Sequence, residues 1–255
     1  MNLIIGHKGF IGGNLQKMTG WDGVDIEECD IRDSEQVYQS IKKADTVIHL
    51  GALAGVEKSI ERESDYVETN VIGTYNVAVA CWSLGIRLIF ASSSSVYEAK
   101  SPYAKTKQGG EDIINSFARH GLNACILRFF TVFGENNRKD MAVYKFTQAI
   151  REGKEIDIYG NCYRDFTYVQ DLCKAIKKIV ESDIDGTHDL GFGNPISVMD
   201  LIILLENVIG KQAVVSQRDQ RKFDAQRTCA DLSLMKSLVK QTPMIEALKN
   251  TVETI

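Results

Sequence analysis

Proline is scarce in this chain, with three among 255 residues, and no low-complexity tract or internal repeat accompanies it. Nothing therefore marks a linker, and the length is that of one or two domains. Cysteine is present only as scattered thiols, Cys29, Cys81, Cys125, Cys162, Cys173 and Cys229, with no CxxC pair among them. That spacing excludes a zinc site and gives no disulfide framework; it fits the reduced thiols of a cytoplasmic protein. No run approaches the roughly 18 apolar residues of a membrane helix, and the stretch MNLIIGHKGFIGG lacks a signal-peptide layout, so no membrane partner is expected. Charge of one sign is not in excess either: 30 basic against 34 acidic residues give a net −4, which offers nucleic acid no basic patch to bind.

What the chain has is alternation. Asn2–Ile5, Thr46–Leu50, Arg87–Ala91 and Ala124–Phe130 are apolar along their whole length, as strands buried on both faces are. Stretches with helical spacing lie between them: Phe10–Met18, Ser64–Ala80 with Ser64 as its cap and Gly85 as its stop, and Pro102–His120 with Gly121 just beyond. The pattern is that of an α/β fold built on a doubly wound parallel sheet, Rossmann-like, with a smaller α/β C-terminal substrate lobe. Residues 1–134 form the first domain, with 164–185 returning to it, and residues 135–163 and 186–255 form the lobe. In the lobe, Met141–Glu152 and Val169–Glu181 read as helices and Glu155–Tyr159 as a strand. Ser197 and Asp200 read as a capping box opening a helix to Val208. Ligands of such sheets bind beyond the carboxyl ends of the strands, which here means the segments after Gly6, Leu50, Ala91 and Phe130.

GHKGFIGG spaces Gly6, Gly9 and Gly12 as GxxGxxG between a strand and a helix. Small residues there let a helix N-terminus approach a pyrophosphate. Acids crowd the end of the second strand, and Asp25 is the choice for an adenosine ribose. That acid favours NAD over NADP, whereas Lys8 in the loop is placed to pair with a 2′-phosphate.

The stretch SSSSVYEAKSPYAKTK, residues 92–107, sets four serines before Tyr103, with Lys107 four residues further on. Tyrosine and lysine at that spacing share one helical face. A neighbouring cation stabilises a phenolate and brings its pKa toward neutrality, which suits Tyr103 to general acid–base work.

GHKGFIG, HLGALAGVEKS (49–59), TNVIGTYNV (69–77), ASSSSVY (91–97), YAKTK (103–107) and RDFTYVQDL (164–172) follow one another in order. Together they resemble the extended short-chain dehydrogenase/reductase family of nucleotide-sugar epimerases and dehydratases, over nearly the whole chain. SSSSVY, LRFFTVFG (127–134) and RKDMAVYKFTQAI (138–150) are similar in particular to UDP-glucuronate 4-epimerases. Ser94 and Ser95 stand where dehydratases and decarboxylases of the family carry carboxylates.

The resemblance implies Ser93, Tyr103 and Lys107 as the catalytic set and NAD as a tightly held cofactor. It places that cofactor against Gly6, Lys8, Gly9, Phe10, Ile11 and Gly12, then Asp25, Asp30 and Ile31, then Leu50, Gly51 and Ala52. Asn70, Ala91, Phe130 and Val132 complete the cofactor set with Tyr103 and Lys107. A UDP-sugar would meet Ser93, Ser94, Ser95, Tyr103, Thr131 and Lys145 at the sugar, Tyr159 at the uracil, and Arg164 and Arg221 at the diphosphate. It also implies a homodimer made by the helices around 64–80 and 104–119 as a four-helix bundle. The chain departs from the family in placing Tyr97 only six residues before Tyr103, in carrying Glu98 where glycine is usual, and in a compressed second-strand region and C-terminal end. Three functions follow as alternatives: a 4-epimerase of a UDP-sugar with or without a carboxylate, an NADPH-dependent 4-keto-sugar reductase, and a silent dinucleotide-binding scaffold.

Overall fold

A computed structural model describes residues 1–222, 225–231 and 233–255. Two compact units divide it: Met1–Phe129 with Ile176–His188, and Phe130–Ala175 with Asp189–Ile255.

The first unit runs β1 (Asn2–Ile5), α1 (Phe10–Thr19), β2 (Asp22–Val24), α2 (Ser34–Ile41), β3 (Thr46–His49), α3 (Val56–Glu61), α4 (Glu63–Val67), a π turn (Glu68–Ile72) and α5 (Gly73–Leu84). It continues through β4 (Arg87–Ser93), a 3₁₀ turn (Ser94–Tyr97), α6 (Pro102–Ala118) and β5 (Ala124–Phe129). The second unit holds β6 (Thr131–Phe133), α7 (Ala142–Glu152), β7 (Glu155–Tyr159), β8 (Tyr163–Arg164) and β9 (Phe166–Tyr168). The dividing line falls within α8 (Val169–Val180) and again within β10 (Gly186–Leu190). β11 (Ile196–Ser197), α9 (Val198–Ile209), β12 (Val214–Arg218), α10 (Ser233–Leu238) and α11 (Met244–Glu253) complete it.

The main sheet has six strands in the order β10-β5-β4-β3-β1-β2. β1 pairs in parallel with β2 on one side and with β3 on the other, so the order reverses between β1 and β3. β3 with β4 and β4 with β5 are parallel too. This is the doubly wound sheet expected. Its switch point puts the loops after β1 and β3 side by side, the place where such sheets take ligands. The central strands are buried because helices cover both faces; Leu88, Phe90 and Ile126 join Val77, Cys81 and Ile114 of α5 and α6 in one core cluster. Burying a side chain such as that of Phe90 contributes about 2–3 kcal/mol.

Local chemistry sets the helix ends. Ser101 accepts from Ala104 N–H at 3.2 Å and Pro102 opens α6, where its missing N–H costs nothing. The capping box of Ser197 and Asp200 is formed at α9. Ser64, by contrast, does not cap its helix. Arg62 is the N-cap, with no side-chain cap bond, and Arg62 instead pairs with Asp65 at 2.7 Å. The helix expected from Ser64 is interrupted at Glu68–Ile72 by the π turn before α5 continues to Gly85.

Gly110 explains how close α6 lies to β4: a Cβ there would come within 2.9 Å of the Phe90 ring. At the other end of β4, the Arg87 guanidinium donates to the carbonyls of Val180, Ser182 and Ile184, taking up the free acceptors at and beyond the C-terminus of α8.

In the second unit β6 pairs with β9, β8 with β11, and β7 with β12. The Asp165 carboxylate is fully buried and accepts from the backbone N–H groups of Phe192, Gly193 and Ala230, tying two distant segments to the start of β9.

Ser101→Ala removes the α6 cap from a buried site and should lower the unfolding free energy by about 1 kcal/mol. A urea titration would show this as a lower midpoint at unchanged slope.

Candidate active site

The loop after β1 is closed to any side chain. A Cβ on Gly12 would lie 2.1 Å from the Gly6 carbonyl oxygen, and Gly6 itself takes φ +91° against the backbone of Gly51. Gly9 is the N-cap of α1 and offers no side-chain acceptor to its first turn, which contains no acid. The positive end of the helix thus meets no acid of its own in that turn, which suits an anion, and Phe10 and Ile11 form the turn itself.

Asp25 follows β2 directly. Its carboxylate accepts from Lys8 N–H at 2.9 Å and Ile26 N–H at 2.9 Å, which fixes it beside the glycine loop. The Lys8 ammonium is committed to Glu28 at 2.7 Å and Glu27 at 2.9 Å. These bonds hold it well above the ordinary lysine range and hold both glutamates below theirs. Asp30 is taken up by Arg32, with hydrogen bonds from Nε and Nη2, and Ile31 lies in the core against Gly73.

Asn70, in the π turn, is buried. It grips the loop after β3 through Leu53, accepting from its N–H at 2.8 Å and donating to its carbonyl at 2.9 Å, and it donates to Thr106 at 3.1 Å. Thr106 in turn donates to the Tyr103 carbonyl at 2.9 Å. One amide thus links the segment holding Leu50, Gly51 and Ala52 to the first turn of α6. A π turn commonly sits where a side chain has to be re-aimed in this way.

Ser93 ends β4, next but one to Ala91 in the same strand. Its hydroxyl donates to Ser95 Oγ at 3.1 Å and accepts from Ser95 N–H, so it caps the 3₁₀ turn that carries Ser94 and Ser95. The shortened connection to α6 is made by Glu98–Ser101 alone, with Ala99 in the left-handed region at φ +45° and Lys100 paired to Glu98 at 2.7 Å.

Tyr103 packs edge-on against Tyr66, 6.3 Å between ring centres. One turn further, Lys107 is buried with its ammonium 4.5 Å from the centre of the Phe90 ring. Burial pushes the Lys107 pKa down to about 8, and the Glu111 carboxylate opposes that shift. His49, the last residue of β3, is also buried. Its Nε2 lies 3.3 Å from Thr74 Oγ1, and its Nδ1 has no hydrogen-bond partner. Burial and the charge of Lys107 press its pKa to about 3, so the imidazole stays neutral.

The second unit presents its own group. Arg221 lies over Tyr159 with its guanidinium carbon 3.7 Å from the ring centre. Arg164 stands in β8, paired to β11, and donates to the Tyr163 carbonyl. Thr131 opens β6 and bonds through its N–H to the Asp165 carbonyl; Val132 follows it, and Phe130 N–H reaches the Leu190 carbonyl. Lys145 is exposed on α7, a solvated position. The signals missed in the sequence are Asn70's second partner Thr106, and Glu111 with Arg128, which meet 17 residues apart. An acid four residues after Lys107 was visible but reads as a solvated helix charge.

The family described as NAD dependent epimerase/dehydratase matches residues 2–190. The UDP-glucuronate 4-epimerase of Thermodesulfobacterium geofontis (strain OPF15) is 36% identical over 228 residues, 81% of this chain and 71% of that protein. Among solved structures, MoeE5 in complex with UDP-glucuronic acid and NAD aligns with a TM-score of 0.90 at 29% identity, covering 99% of this chain and 98% of that one. The UDP-N-acetylglucosamine 4-epimerase from Methanobrevibacter ruminantium M1, in complex with UDP-N-acetylmuramic acid, aligns with a TM-score of 0.90 at 26% identity over 99% and 97% of the two chains.

The depressed pKa of Lys107 has a sign that can be checked. Below pH 8 the folded protein bears the whole cost of the buried ammonium; between 8 and 10.5 it sheds that proton before the unfolded chain does, so stability rises with pH there. Lys107→Met should therefore be more stable than the parent at pH 7, by on the order of 3 kcal/mol. The gap should close as urea titrations are repeated from pH 8 toward 10.5.

Proposed function

The chain belongs to the NAD dependent epimerase/dehydratase family, and on that premise we propose that it is a UDP-sugar 4-epimerase acting on UDP-glucuronate and UDP-galacturonate. The observation that carries the reading is the Lys107 ammonium, buried one helical turn from Tyr103 on α6, with the serine turn at the end of β4.

The glycine loop fits a dinucleotide: its closest approaches are backbone to backbone, and the positive end of α1, with no acid in its first turn, favours a pyrophosphate. Asp25 is positioned for an adenosine ribose. Because Lys8 is already neutralised by Glu27 and Glu28, its charge is not offered to a 2′-phosphate, which supports NAD over NADP. When bound, NAD supplies the hydride acceptor and donor for carbon 4 of the sugar.

Tyr103 takes the proton of the 4-hydroxyl as that hydride leaves, and returns it when hydride adds to the opposite face of the 4-keto sugar. Lys107 stabilises the phenolate during the exchange, in surroundings that screen its charge weakly. Ser93 bonds the oxygen at carbon 4. Ser94, Ser95 and Thr131 offer hydroxyls to the sugar carboxylate. With no acid at 94 or 95, the turn itself carries no group to expel water at carbon 6 or to drive decarboxylation. Tyr159 offers a face to the uracil, and Arg164 and Arg221 charge to the diphosphate. Lys145 is exposed on α7 and carries no part of this reading.

A homodimer suits the first unit. Val67, Ile72, Tyr75 and Trp82 on the α4–α5 stretch are each more than 40% exposed, and Tyr75 and Trp82 pack on Phe117 of α6. A second copy of the same two-helix face would cover this apolar strip as a four-helix bundle.

Protein purified without added cofactor and mixed with UDP-glucuronate should give the anomeric proton of the 4-epimer by NMR. Conversion of UDP-glucose or UDP-N-acetylglucosamine instead would reassign the sugar. Tyr103→Phe should retain NAD and lose at least a hundredfold in kcat, about the lower bound for a general acid–base group; near-normal turnover would remove Tyr103 from that role. Tyr75→Glu should convert a dimer to a monomer in light scattering.

A further inference from the structure

The catalytic scheme leaves one buried charge cluster unused. Glu111 sits one turn beyond Lys107 on α6 and is 5% exposed. Arg128 of β5 grips its carboxylate with two hydrogen bonds, Nε to Oε1 at 2.9 Å and Nη2 to Oε2 at 2.7 Å, and the Ser92 hydroxyl donates to Oε1. The Arg128 guanidinium lies 4.8 Å from the ring centre of Tyr97, the last residue of the 3₁₀ turn. One carboxylate thus reaches β4 beside Ser93, the adjacent strand β5 and, through Arg128, the far end of the turn that carries Ser94 and Ser95.

An ion pair that takes the Glu111 carboxylate out of water, with the Arg128 side chain still 24% exposed, contributes little net stability over a well-packed apolar pair. Its presence therefore points to a use for the charge. The groups around Lys107 show which use. His49 and the Phe90 ring approach from β3 and β4, Tyr103 lies one turn back on α6 with Tyr66 of α4 against it, and Arg128 and Tyr97 lie beyond Glu111. Of these, Glu111 is the carboxylate.

We propose that Glu111 is a positioning residue: its carboxylate is the counter-charge that keeps the Lys107 ammonium charged in its dry site, and through Ser92 and Arg128 it fixes the turn bearing Ser93, Ser94 and Ser95. The proposal rests on the role given above to Lys107. Its first half acts on charge and its second on geometry, so a substitution that keeps the shape and removes the charge separates them.

Glu111→Gln is that substitution, and Glu111→Asp restores the charge on a shorter arm. The ¹³Cε resonance of Lys107, assigned by its loss in Lys107→Met, titrates without any substrate. It should move about one pH unit lower in Glu111→Gln, the size expected on losing a near opposite charge. It should return most of the way in Glu111→Asp, whatever thermal stability either variant loses. The alkaline limb of kcat for UDP-glucuronate should follow the same order. An unmoved titration in Glu111→Gln overturns the counter-charge. So does an equal shift in both variants, since a purely structural carboxylate would be damaged by either change. If Glu111→Gln does not fold, Glu111→Asp against Arg128→Gln decides: both break the ion pair and both keep the anion, so a fall of the Lys107 titration by about one unit in either overturns the proposal. Absence of sugar turnover in the parent would instead remove the epimerase reading and leave the resonance test standing.

Discussion

Lys107 brings an ammonium group into a buried place, and much of the first unit is arranged around that fact. The Phe90 ring lies under it, Gly110 removes the Cβ that would keep α6 away from that ring, and His49 beyond it is held neutral. Glu111 supplies a negative charge one turn away and is itself held by Arg128 and Ser92. Each of these contacts costs something alone: a glycine inside a helix, an imidazole nitrogen without a partner, a carboxylate taken out of water. Together they hold a titratable group near neutrality, and perturbed groups of this kind gather where chemistry is done.

The glycine loop solves a different problem by the opposite means. There the chain removes side chains so that backbone meets backbone, and keeps the first turn of α1 uncapped by its own residues. The charge of Lys8 nearby is more than matched by Glu27 and Glu28, which leave the trio at a net −1. An anion at this loop is met by oriented N–H groups rather than by a free cation, which favours a ligand whose negative charge is confined to its pyrophosphate. Asn70 then couples the loop after β3 to the start of α6, so that loop and the helix carrying Tyr103 and Lys107 share one hydrogen-bonded amide.

What could be read in the sequence was whatever a short window decides. Ser101 before Pro102, Gly121 after α6 and the Ser197–Asp200 box are local signals, and the bounds they imply hold to within a residue or two. The buried parallel strands were legible because they are apolar throughout. Strands of two or three residues, such as β8 and β11, have no pattern to detect; their existence depends on partners more than thirty residues away. The π turn was hidden for the same reason, since its residues have ordinary helical character. Glu111 and Arg128 each look like solvated charges until the fold brings them together, and Lys8 pointed two ways until Glu27 and Glu28 were seen to hold it.

The first unit is assembled from two separated lengths of chain, and this matters while the protein is being made. As the ribosome releases the chain from its N-terminus, β5 is the exposed margin of the nascent sheet until β10 emerges some sixty residues later. Through that interval Arg87 also lacks the carbonyls of Val180, Ser182 and Ile184. An open strand margin is a template for the wrong partner. The early product is thus most exposed to misassembly before its last strand is translated, and a gene truncated anywhere before that point would leave the same margin open for good.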